Sequence, residues 1–490
     1  MAVSKVILNN TTLIDATTAT ATAADITSPK TAMLADGVMT TGTGSGGGGS
    51  DDSKNVLFID YDGEELYQYT TEELRAMNAL PANPSHTGLT AQGWNWSLAN
   101  AKAYVTAYPE ADLVIGQNYV TSDGKTRIYI TLEKGFDYSS PFYLYFTASV
   151  DGGVVIDWGD NSSVEYSSGT AAATYSHVYP ATGDYVITMN AVSGTYSFDT
   201  GGANRIYGQT TQTNVYINQR RIKKVELGED ITAIGNYCFS PCYCLETITI
   251  PNGISGVGPL TNLFYNCQSL KSITVPSGES SIGDNFIMGC SQIKNVSLPN
   301  GIETIGTYFC YSSSQFVEHA TIPGSVVSIG NSAFYMSPIK KICLPNSVTT
   351  IGNSFAYHSA AETLVVSNSL SSIGSNAFYY GGYDNITLQN GLTTIFGNMF
   401  NGCRKLQTIT IPSSVTSIQA QAFYNCSGLV EVHLQGTTPP SLVNTNAFSG
   451  TLDRRIFYVP YSANHSVLNA YKTATNWSTY APFIQEEPQS

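Results

Sequence analysis

The sequence predicts a mainly β, multidomain protein whose largest part is a solenoid of short β-strand coils. One phrase recurs between about residues 222 and 448: it reads IGNYCF from Ile234, IGNSAF from Ile329, IGNSFA from Ile351 and IGSNAF from Ile373. Weaker copies begin at Val257, Ile282, Ile305, Ile395 and Ile418. Successive copies are separated by 23, 25, 23, 24, 22, 22, 22 and 23 residues. Such a period is typical of a solenoid, because no single unit buries its apolar side alone.

The pattern inside each coil predicts a short strand, a turn and a buried aromatic ring. In LETITI the alternation places Ile248 and Ile250 on one face, as a half-buried strand requires. Proline lacks the N–H that continues a ladder, so it is expected to end the strand. Six runs end in this way, at Pro251, Pro276, Pro299, Pro323, Pro345 and Pro412. The ring five positions after the recurring residue is predicted to fill the core, at Phe239, Phe334, Phe378, Phe400 and Phe423. The glycine after that residue, as at Gly306 and Gly352, indicates a tight bend.

The repeats resemble a known family. The stretch LQTITIPSSVTSIQAQAFYNCSGL from Leu406 matches nearly every position of the BspA-type leucine-rich repeat. The resemblance covers residues 206–450, and the segment 451–490 is similar to the closing segment that follows such arrays. It implies a curved leucine-rich-repeat solenoid of the kind that is used for adhesion at surfaces.

The first 50 residues are predicted to be an extended leader that ends in a Gly/Ser linker, GSGGGGS. Val6–Asp15 and Ala35–Gly44 resemble the N-terminal segments of tailed-bacteriophage and prophage fibre proteins. That resemblance implies attachment to other virion proteins. The alternative interpretation is a disordered tail or an artificial linker.

Residues 51–133 are predicted to form a small α/β module. VLFI from Val56 is an apolar strand, TTEELRAMNA is a helix with Thr71 as its N-cap, and Asp123-Gly124 indicates a hairpin turn. The phrase LPANPSHTGLTAQGWNWSL, centred on Gly93–Trp96, resembles a module of phage and prophage tail proteins.

Residues 134–205 are predicted to form a β-sandwich, because alternating apolar runs such as YLYFTASV and VVIDWGD follow one another. Asp157-Trp158-Gly159-Asp160 and His177-Val178-Tyr179 resemble the signature of the polycystic-kidney-disease-type (PKD) domain. Asn161 stands where that pattern usually has glycine. The resemblance implies a spacer or a binding module.

Composition and motifs exclude several function classes. A net charge of −14 argues against a nucleic-acid partner, and the lack of an 18-residue apolar run argues against membrane insertion. The N-terminus does not read as a secretory signal.

No motif predicts a catalytic residue, a cofactor or a metal, so we expect no enzyme. A calcium site at Asp60, Asp62, Glu64 and Glu65 is less favoured than a solvated turn. Four of the nine cysteines, Cys242, Cys290, Cys403 and Cys426, fall at one repeat position, which favours buried free thiols over disulfides or zinc.

Two surfaces of the solenoid are candidate ligand-binding sites. Six residues after the recurring residue, tyrosine recurs, so a row of rings is expected along one edge. The members of this edge are Tyr265, Tyr311, Tyr335, Tyr357, Tyr379 and Tyr424. A structural ladder that seals the coil is the alternative interpretation. The second candidate is the outward face of the strands, where Lys294, His319, Lys341, Asp384 and Gln407 vary in charge.

The features together predict a structural virion protein of a tailed phage, fibre- or spike-like, that adheres to the bacterial host through its solenoid. The expected partners are other virion proteins through the leader and a glycan or protein of the bacterial surface, with homo-oligomers also compatible. The expected location is the surface of an extracellular particle assembled in the host cytoplasm. Alternatives are a bacterial cell-surface adhesin, a depolymerase, and a purely architectural part of the tail, baseplate or capsid.

Overall fold

A computed structural model describes residues 54–133, 140–198, 205–208, 215–254, 261–311, 319–451 and 455–488, and four short strands before them. The chain divides into two compact units, Met1–Asn55 and Val56–Ser490. The first unit contains two antiparallel pairs. Their strands are β1 (Val6–Leu8) with β2 (Thr11–Ile14), and β3 (Thr31–Met33) with β4 (Met39–Thr41). The other predicted features of the leader, including the Gly/Ser linker, lie outside the described residues.

The second unit begins with an α/β module. Its elements are β5 (Val56–Ile59), β6 (Glu65–Tyr69), α1 (Thr71–Ala76), β7 (Leu89–Trp94), α2 (Leu98–Ala107) and β8 (Leu113–Thr121). The strands form one sheet in the order β6-β5-β8-β7, in which β5 and β8 are parallel. The helix cap is Thr70 and not Thr71. The Thr70 hydroxyl accepts from the Glu73 amide at 3.1 Å and the Glu73 carboxylate accepts from the Thr70 amide at 2.8 Å, which is a capping box.

A β-sandwich follows. Its strands are β9 (Thr126–Leu132), β10 (Phe142–Ala148), β11 (Val154–Asp157), β12 (Glu165–Tyr166), β13 (Ala173–His177), β14 (Gly183–Ala191) and β15 (Tyr196–Phe198). They form the sheets β12-β11-β14-β9 and β13-β10-β15, whose apolar side chains meet in one core. The predicted hairpin at Asp123-Gly124 is wrong, because β8 stays in the module whereas β9 pairs with β14. The sandwich therefore begins at Thr126, inside the segment that the sequence assigned to the module.

The tryptophan, histidine and aspartate of the sandwich signature lie together. The rings of Trp158 and His177 stack at 5.2 Å, and His177 Nε2 lies 2.7 Å from Asp160 Oδ2. The Tyr179 hydroxyl donates to the Trp158 carbonyl at 3.0 Å. Although burial opposes ionisation of Asp160, hydrogen bonds from Ser162 and His177 lower its pKa to about 2. The signature thus ties the end of β11 to the end of β13.

The solenoid consists of two parallel ladders, and most coils contribute one strand to each; the mainly β repeat fold is confirmed. The first ladder contains the alternating runs: β16 (Ile222–Glu226), β18 (Thr247–Thr249), β19 (Ser272–Thr274), β21 (Asn295–Ser297), β23 (His319–Ala320), β25 (Lys341–Cys343), β27 (Thr363–Val366), β29 (Asn385–Leu388), β31 (Thr408–Ile411), β33 (Glu431–Leu434), β35 (Ile456–Val459) and β36 (Ile484–Glu486). The second ladder contains the recurring residue: β17 (Ile231–Ile234), β20 (Ser281–Ile282), β22 (Thr304–Ile305), β24 (Ser328–Ile329), β26 (Thr350–Ile351), β28 (Ser372–Ile373), β30 (Thr394–Ile395), β32 (Ser417–Ile418) and β34 (Ser441–Leu442).

Both ends of the solenoid are covered by other elements. At the first coil, β16 pairs with β9 and β17 pairs with β15, so each sheet of the sandwich continues into one ladder. At the last coil, α3 (Ser466–Thr473) and a 3₁₀ helix (Trp477–Phe483) pack over the end. The buried Trp477 indole donates to the Pro440 carbonyl at 2.8 Å. Each ladder thus continues into the sandwich at the first coil, and α3 and the 3₁₀ helix cap the last coil, which limits the exposed strand edge that could pair with another chain.

A continuous row of phenylalanines, some pairs stacked and others edge-to-face, fills the centre of the coils, as the spacing predicts. Consecutive ring centroids lie 5.1–6.0 Å apart. The stack contains Phe239, Phe264, Phe286, Phe309, Phe334, Phe355, Phe378, Phe400, Phe423 and Phe448. All nine cysteines are free thiols. The thiols of Cys267 and Cys426 donate to the carbonyls of Phe239 and Phe400, each at 3.1 Å, and burial raises the pKa of both to about 12.

The glycine after the recurring residue does not form a bend, so this part of the interpretation is wrong. A Cβ atom at Gly306 would lie 2.5 Å from the carbonyl carbon of Gly283, and one at Gly352 would lie 2.5 Å from the amide nitrogen of Asn331. These glycines are needed because the backbones of adjacent coils approach too closely for a side chain.

The α/β module lies on the outward face of the first ladder, and a row of backbone carbonyls explains its position. Val275 N–H donates to Ser297 O at 2.9 Å, so the next bond of this ladder would join Val275 O to the nitrogen of Pro299. Proline has no N–H, and the carbonyl is left without its ladder donor. In a coil without this proline the ladder continues, since Gln435 N–H donates to Ile411 O at 3.0 Å.

The module supplies one donor to each carbonyl of this row. Four carbonyls that precede a proline accept from it: Ile250 from Asn118 Nδ2 at 3.1 Å, Val275 from Asn95 Nδ2 at 3.2 Å, Leu298 from Trp96 Nε1 at 2.8 Å, and Ile322 from the Tyr104 hydroxyl at 3.1 Å. Apolar contact adds to these bonds, because Cys343 and Val365 of the solenoid join the core of the module. Asn95 and Trp96, the centre of the GWNW phrase, are thus residues that dock the module.

We expect Trp96→Phe to destabilise the docked module by about 1–3 kcal/mol, because the buried Leu298 carbonyl loses its donor. Trp94→Phe is the matched control, since the Trp94 indole donates to Pro81 O inside the module at 2.9 Å. Hydrogen exchange of the amides in β19 and β21 should accelerate in the Trp96 variant only. Equal exchange in both variants would contradict the role of the carbonyl row.

The lowered pKa of Asp160 predicts a pH-dependent contribution to the stability of the sandwich. The ionised carboxylate contributes fully above pH about 4, the ordinary pKa of aspartate, and this contribution is lost as the pH falls through about 2. Calorimetry of Asp160→Asn should show a lower melting temperature at pH 5 and a difference from the parent chain that shrinks towards pH 2. Asp157→Asn, at an exposed neighbour, is the control, and an identical pH response of both variants would refute the prediction.

Candidate functional site

The outward face of the first ladder divides into a covered part and an open part. Side chains that face the module are buried: Thr249, Thr274, Ser297, Thr321 and Cys343. The same repeat position beyond the module is exposed, at Thr387 and Thr410, and so is the position two residues earlier, at Asn385 and Thr408. Docking of the module, and not the repeat pattern, therefore determines which part of this face is accessible. We call residues 384–410 of this face, with their exposed polar side chains, the open strand face.

The predicted strand-face residues fall on both sides of this division. Lys294, Asp384 and Gln407 are exposed, as expected. His319 does not face solvent, because its Nδ1 lies 2.7 Å from Oδ2 of the buried Asp112 in the module. Lys341 lies 3.2 Å from the other oxygen of Asp112. These two predicted strand-face residues therefore contact a buried carboxylate at the docking interface, and Lys341 supplies the opposite charge.

The acidic cluster near Asp60 is also part of the packing. Asp60 is buried and lies 2.6 Å from His86 Nε2, so it is not a residue of a solvated turn. Asp62 accepts from the Glu64 amide at 3.0 Å, and Glu65 accepts from Asn295 of the solenoid at 3.3 Å. Across the described parts of the chain, no three His, Cys, Asp or Glu side chains are grouped as a metal ion requires.

Four of the predicted edge tyrosines stack on one another. The ring centroids of Tyr311, Tyr335, Tyr357 and Tyr379 are separated by 4.8, 5.1 and 5.3 Å, with interplanar angles of 21°, 3° and 12°. We call these four residues the tyrosine ladder. Tyr265 and Tyr424 occupy the same repeat position but have no ring partner within the described residues, because the neighbouring coils carry Met288 and Asn401 there. The faces of the inner rings are covered, so the ladder presents ring edges and hydroxyls to solvent.

A second column of bulky side chains runs beside the tyrosine ladder, and it was not predicted. Met336, His358 and Tyr380 have φ angles of +51°, +53° and +53°. Other coils place glycine or asparagine at this position: Asn266, Gly289, Gly402, Asn425 and Gly450. A left-handed conformation at a residue with a Cβ atom costs about 1 kcal/mol relative to glycine. At this position, three consecutive coils therefore accept strain that the other described coils avoid.

The two columns contact each other through their rings. His358 stacks on Tyr380 at 5.1 Å, and Tyr380 packs edge-on against Tyr379 at 4.4 Å. The Arg404 guanidinium lies 5.2 Å from the Tyr380 ring. Partial desolvation and the neighbouring hydroxyls of Tyr311 and Tyr357 raise the pKa of Tyr335, so its hydroxyl remains a donor at neutral pH.

Sequence reasoning located the tyrosine ladder from its spacing but missed both the module interface and the second column. A signal for the interface was present: prolines end five successive strands, at Pro251, Pro276, Pro299, Pro323 and Pro345. The second column carries no comparable signal, because a left-handed backbone is recognised in a sequence by the glycine or asparagine that these three coils lack. In the described part of the chain, no helix has the length and apolar character needed to cross a membrane.

Solved structures of other bacterial repeat proteins are similar to this chain. A leucine-rich repeat protein from Bacteroides ovatus is 19% identical, with 55% of this chain and 85% of that chain covered and a TM-score of 0.33. A leucine rich cell surface protein from Faecalibacterium prausnitzii is 20% identical, with 59% and 87% covered and a TM-score of 0.27. The pneumococcal vaccine antigen PcpA is 16% identical, with 53% and 78% covered and a TM-score of 0.29.

No curated protein matches the sequence. The family of the BspA type Leucine rich repeat region matches residues 209–337 and 308–430, in six copies. These residues are the ones that form the coils with a phenylalanine stack, a strand-ending proline and a recurring Ile-Gly. Over residues 209–430, the solenoid of this chain is therefore a BspA-type leucine-rich repeat region.

Proposed function

We propose that this chain is a structural virion protein of a tailed phage that adheres to the surface of a bacterial host through its solenoid. The observation that carries the adhesive part of the proposal is the open strand face. There Asp384, Asn385, Thr387, Thr408 and Thr410 expose polar side chains on a rigid ladder that no other described element covers. A rigid, polar array of this kind suits recognition of a surface glycan or a surface protein.

The covered half of the same face supports this role. There the ladder binds a folded module through matched hydrogen bonds, an ion pair and apolar contact. The open strand face has the same geometry and strand spacing, with side chains directed to solvent. A surface that accommodates one protein module along half of its length is suited to bind a second partner along the other half. Binding without bond-making is the proposed mechanism, and several copies on one particle would raise the avidity.

The virion assignment rests on resemblances in the first 200 residues. The VILNNTTLID leader and the GWNWSL module resemble segments of phage and prophage tail proteins, and the WGD and HVY phrases support a PKD-like spacer between them and the solenoid. In this proposal the leader binds other virion proteins, the docked module covers half of the strand face, and the open half of the solenoid contacts the host. Homo-oligomers are compatible with it. A bacterial cell-surface adhesin and a purely architectural virion protein are the alternatives.

Thr387→Arg with Thr410→Arg should weaken binding to susceptible cells by about tenfold or more, because two bulky cations would occupy the centre of the open strand face. The measurement is flow cytometry of the fluorescently labelled full-length chain on a panel of intact bacterial strains. Thr393→Arg with Thr416→Arg is the matched control, since these exposed threonines lie in the same coils but on another face. Unchanged binding of the first variant would overturn the open strand face as the adhesive site.

Immunogold electron microscopy distinguishes the virion proposal from its alternatives. Antibodies against residues 54–488 should label discrete appendages on particles that are released when prophages of the source bacterium are induced. Label on the bacterial envelope alone would instead identify a cell-surface adhesin. Labelled particles combined with a protein that binds no strain would indicate an architectural part.

A further inference from the structure

The tyrosine ladder and the column beside it have the properties of a binding surface that is separate from the open strand face. Met336 is 55% exposed and His358 is also exposed, although both are large enough to gain from burial. The hydroxyls of Tyr335 and Tyr357 are neither buried nor hydrogen-bonded to other groups within the described residues. This edge therefore presents a double row of aromatic edges, hydroxyl donors and an imidazole.

The stacking restricts what this edge can bind. Tyr335 and Tyr357 each have a ring on both sides, so a ligand cannot stack on their faces. Recognition must use the hydroxyls and ring edges of a row whose ring centroids repeat at 4.8–5.3 Å. That spacing is close to the length of one pyranose residue in an extended glycan. A polymer with one sugar residue for each coil would place its hydroxyl groups opposite successive tyrosines.

The left-handed backbone of Met336, His358 and Tyr380 also distinguishes this edge from the other coils. Coils outside this region place asparagine or glycine at the left-handed position, which shows that the fold does not need a bulky residue there. Met336, His358 and Tyr380 depart from that rule in three consecutive coils, and these are the coils of Tyr335, Tyr357 and Tyr379. Bulky left-handed residues also occur elsewhere in the turns, at Tyr237, Tyr308 and Gln421, but at this repeat position they are found only in coils of the tyrosine ladder. An unfavourable conformation that recurs beside one exposed row of rings favours a function of that edge.

We propose that this double column binds a linear, equatorially linked glycan chain, with one sugar residue per coil along the tyrosine ladder. The tyrosine hydroxyls donate to ring and hydroxyl oxygens of successive sugars. His358 and Tyr380 flank the chain, and Arg404, beyond Tyr380, provides a cation for an acidic substituent. The inference goes beyond the proposed adhesion through the open strand face, because it assigns a different surface and a defined ligand class.

Titration calorimetry of the full-length chain with β-1,4-linked N-acetylglucosamine and glucose oligomers of two to six residues tests the proposal. Affinity should increase with length up to about four residues, one for each tyrosine of the ladder, and then level off. Tyr335→Phe with Tyr357→Phe keeps the stack and removes two donors, so affinity should fall about fivefold or more. Tyr424→Phe, outside the ladder, should bind as the parent chain does.

The His358→Asn variant separates a role of His358 in binding from a role in stability. Asparagine tolerates the left-handed conformation better than histidine, so the melting temperature should stay the same or rise while the affinity falls. Absence of binding to every oligomer, affinity that is independent of length, or equal affinity of the double tyrosine variant would each overturn the proposal. The cell-binding result for the open strand face is independent of these outcomes, so either proposal can fail alone.

Discussion

The proline that ends successive strands of the first ladder is the constraint on which the arrangement of the second unit depends. A parallel ladder satisfies its backbone only if each carbonyl meets an N–H from the next coil, and proline removes that N–H. Where prolines follow one another from Pro251 to Pro323, carbonyls on the buried side must find donors elsewhere. Asn118, Asn95, Trp96 and Tyr104 of the α/β module provide them. The module is therefore part of the hydrogen-bond network of the solenoid and not an appendage to it.

At the two ends of the solenoid, backbone groups are likewise satisfied by elements outside the repeats. A stack of coils exposes a strand edge at each end, where unpaired N–H and C=O groups would recruit another chain. The sandwich resolves this at the first coil by extending β9 into one ladder and β15 into the other. The last coil is closed by a parallel strand and by Trp477 and Tyr480, which pack on Phe457. Four structural parts with different sequence patterns thus form one hydrogen-bonded body.

The repeat spacing predicted the features that depend on contacts between neighbouring coils. It did not predict contacts between segments that are far apart in the sequence. The phenylalanine stack, the proline strand ends and the tyrosine ladder could be predicted, since each arises from residues 21–25 positions apart. The burial of His319 could not, because its partner Asp112 is 207 positions away and its own repeat position is polar in most coils. The hairpin at Asp123-Gly124 failed for a related reason: the turn signal is local, whereas the pairing of β9 is decided by β14 and β16.

The two exposed surfaces of the solenoid differ in a way that bears on what each can recognise. On the open strand face the side chains change from coil to coil, from Asp384 and Asn385 to Gln407 and Thr408. A surface that varies along its length is complementary to a ligand that also varies, such as a folded protein. Along the tyrosine ladder the same hydroxyl recurs in four successive coils, with the same spacing and orientation. An invariant row matches a ligand that repeats, and a polymer of sugars has that property. The same solenoid therefore provides one surface suited to a protein partner and another suited to a glycan.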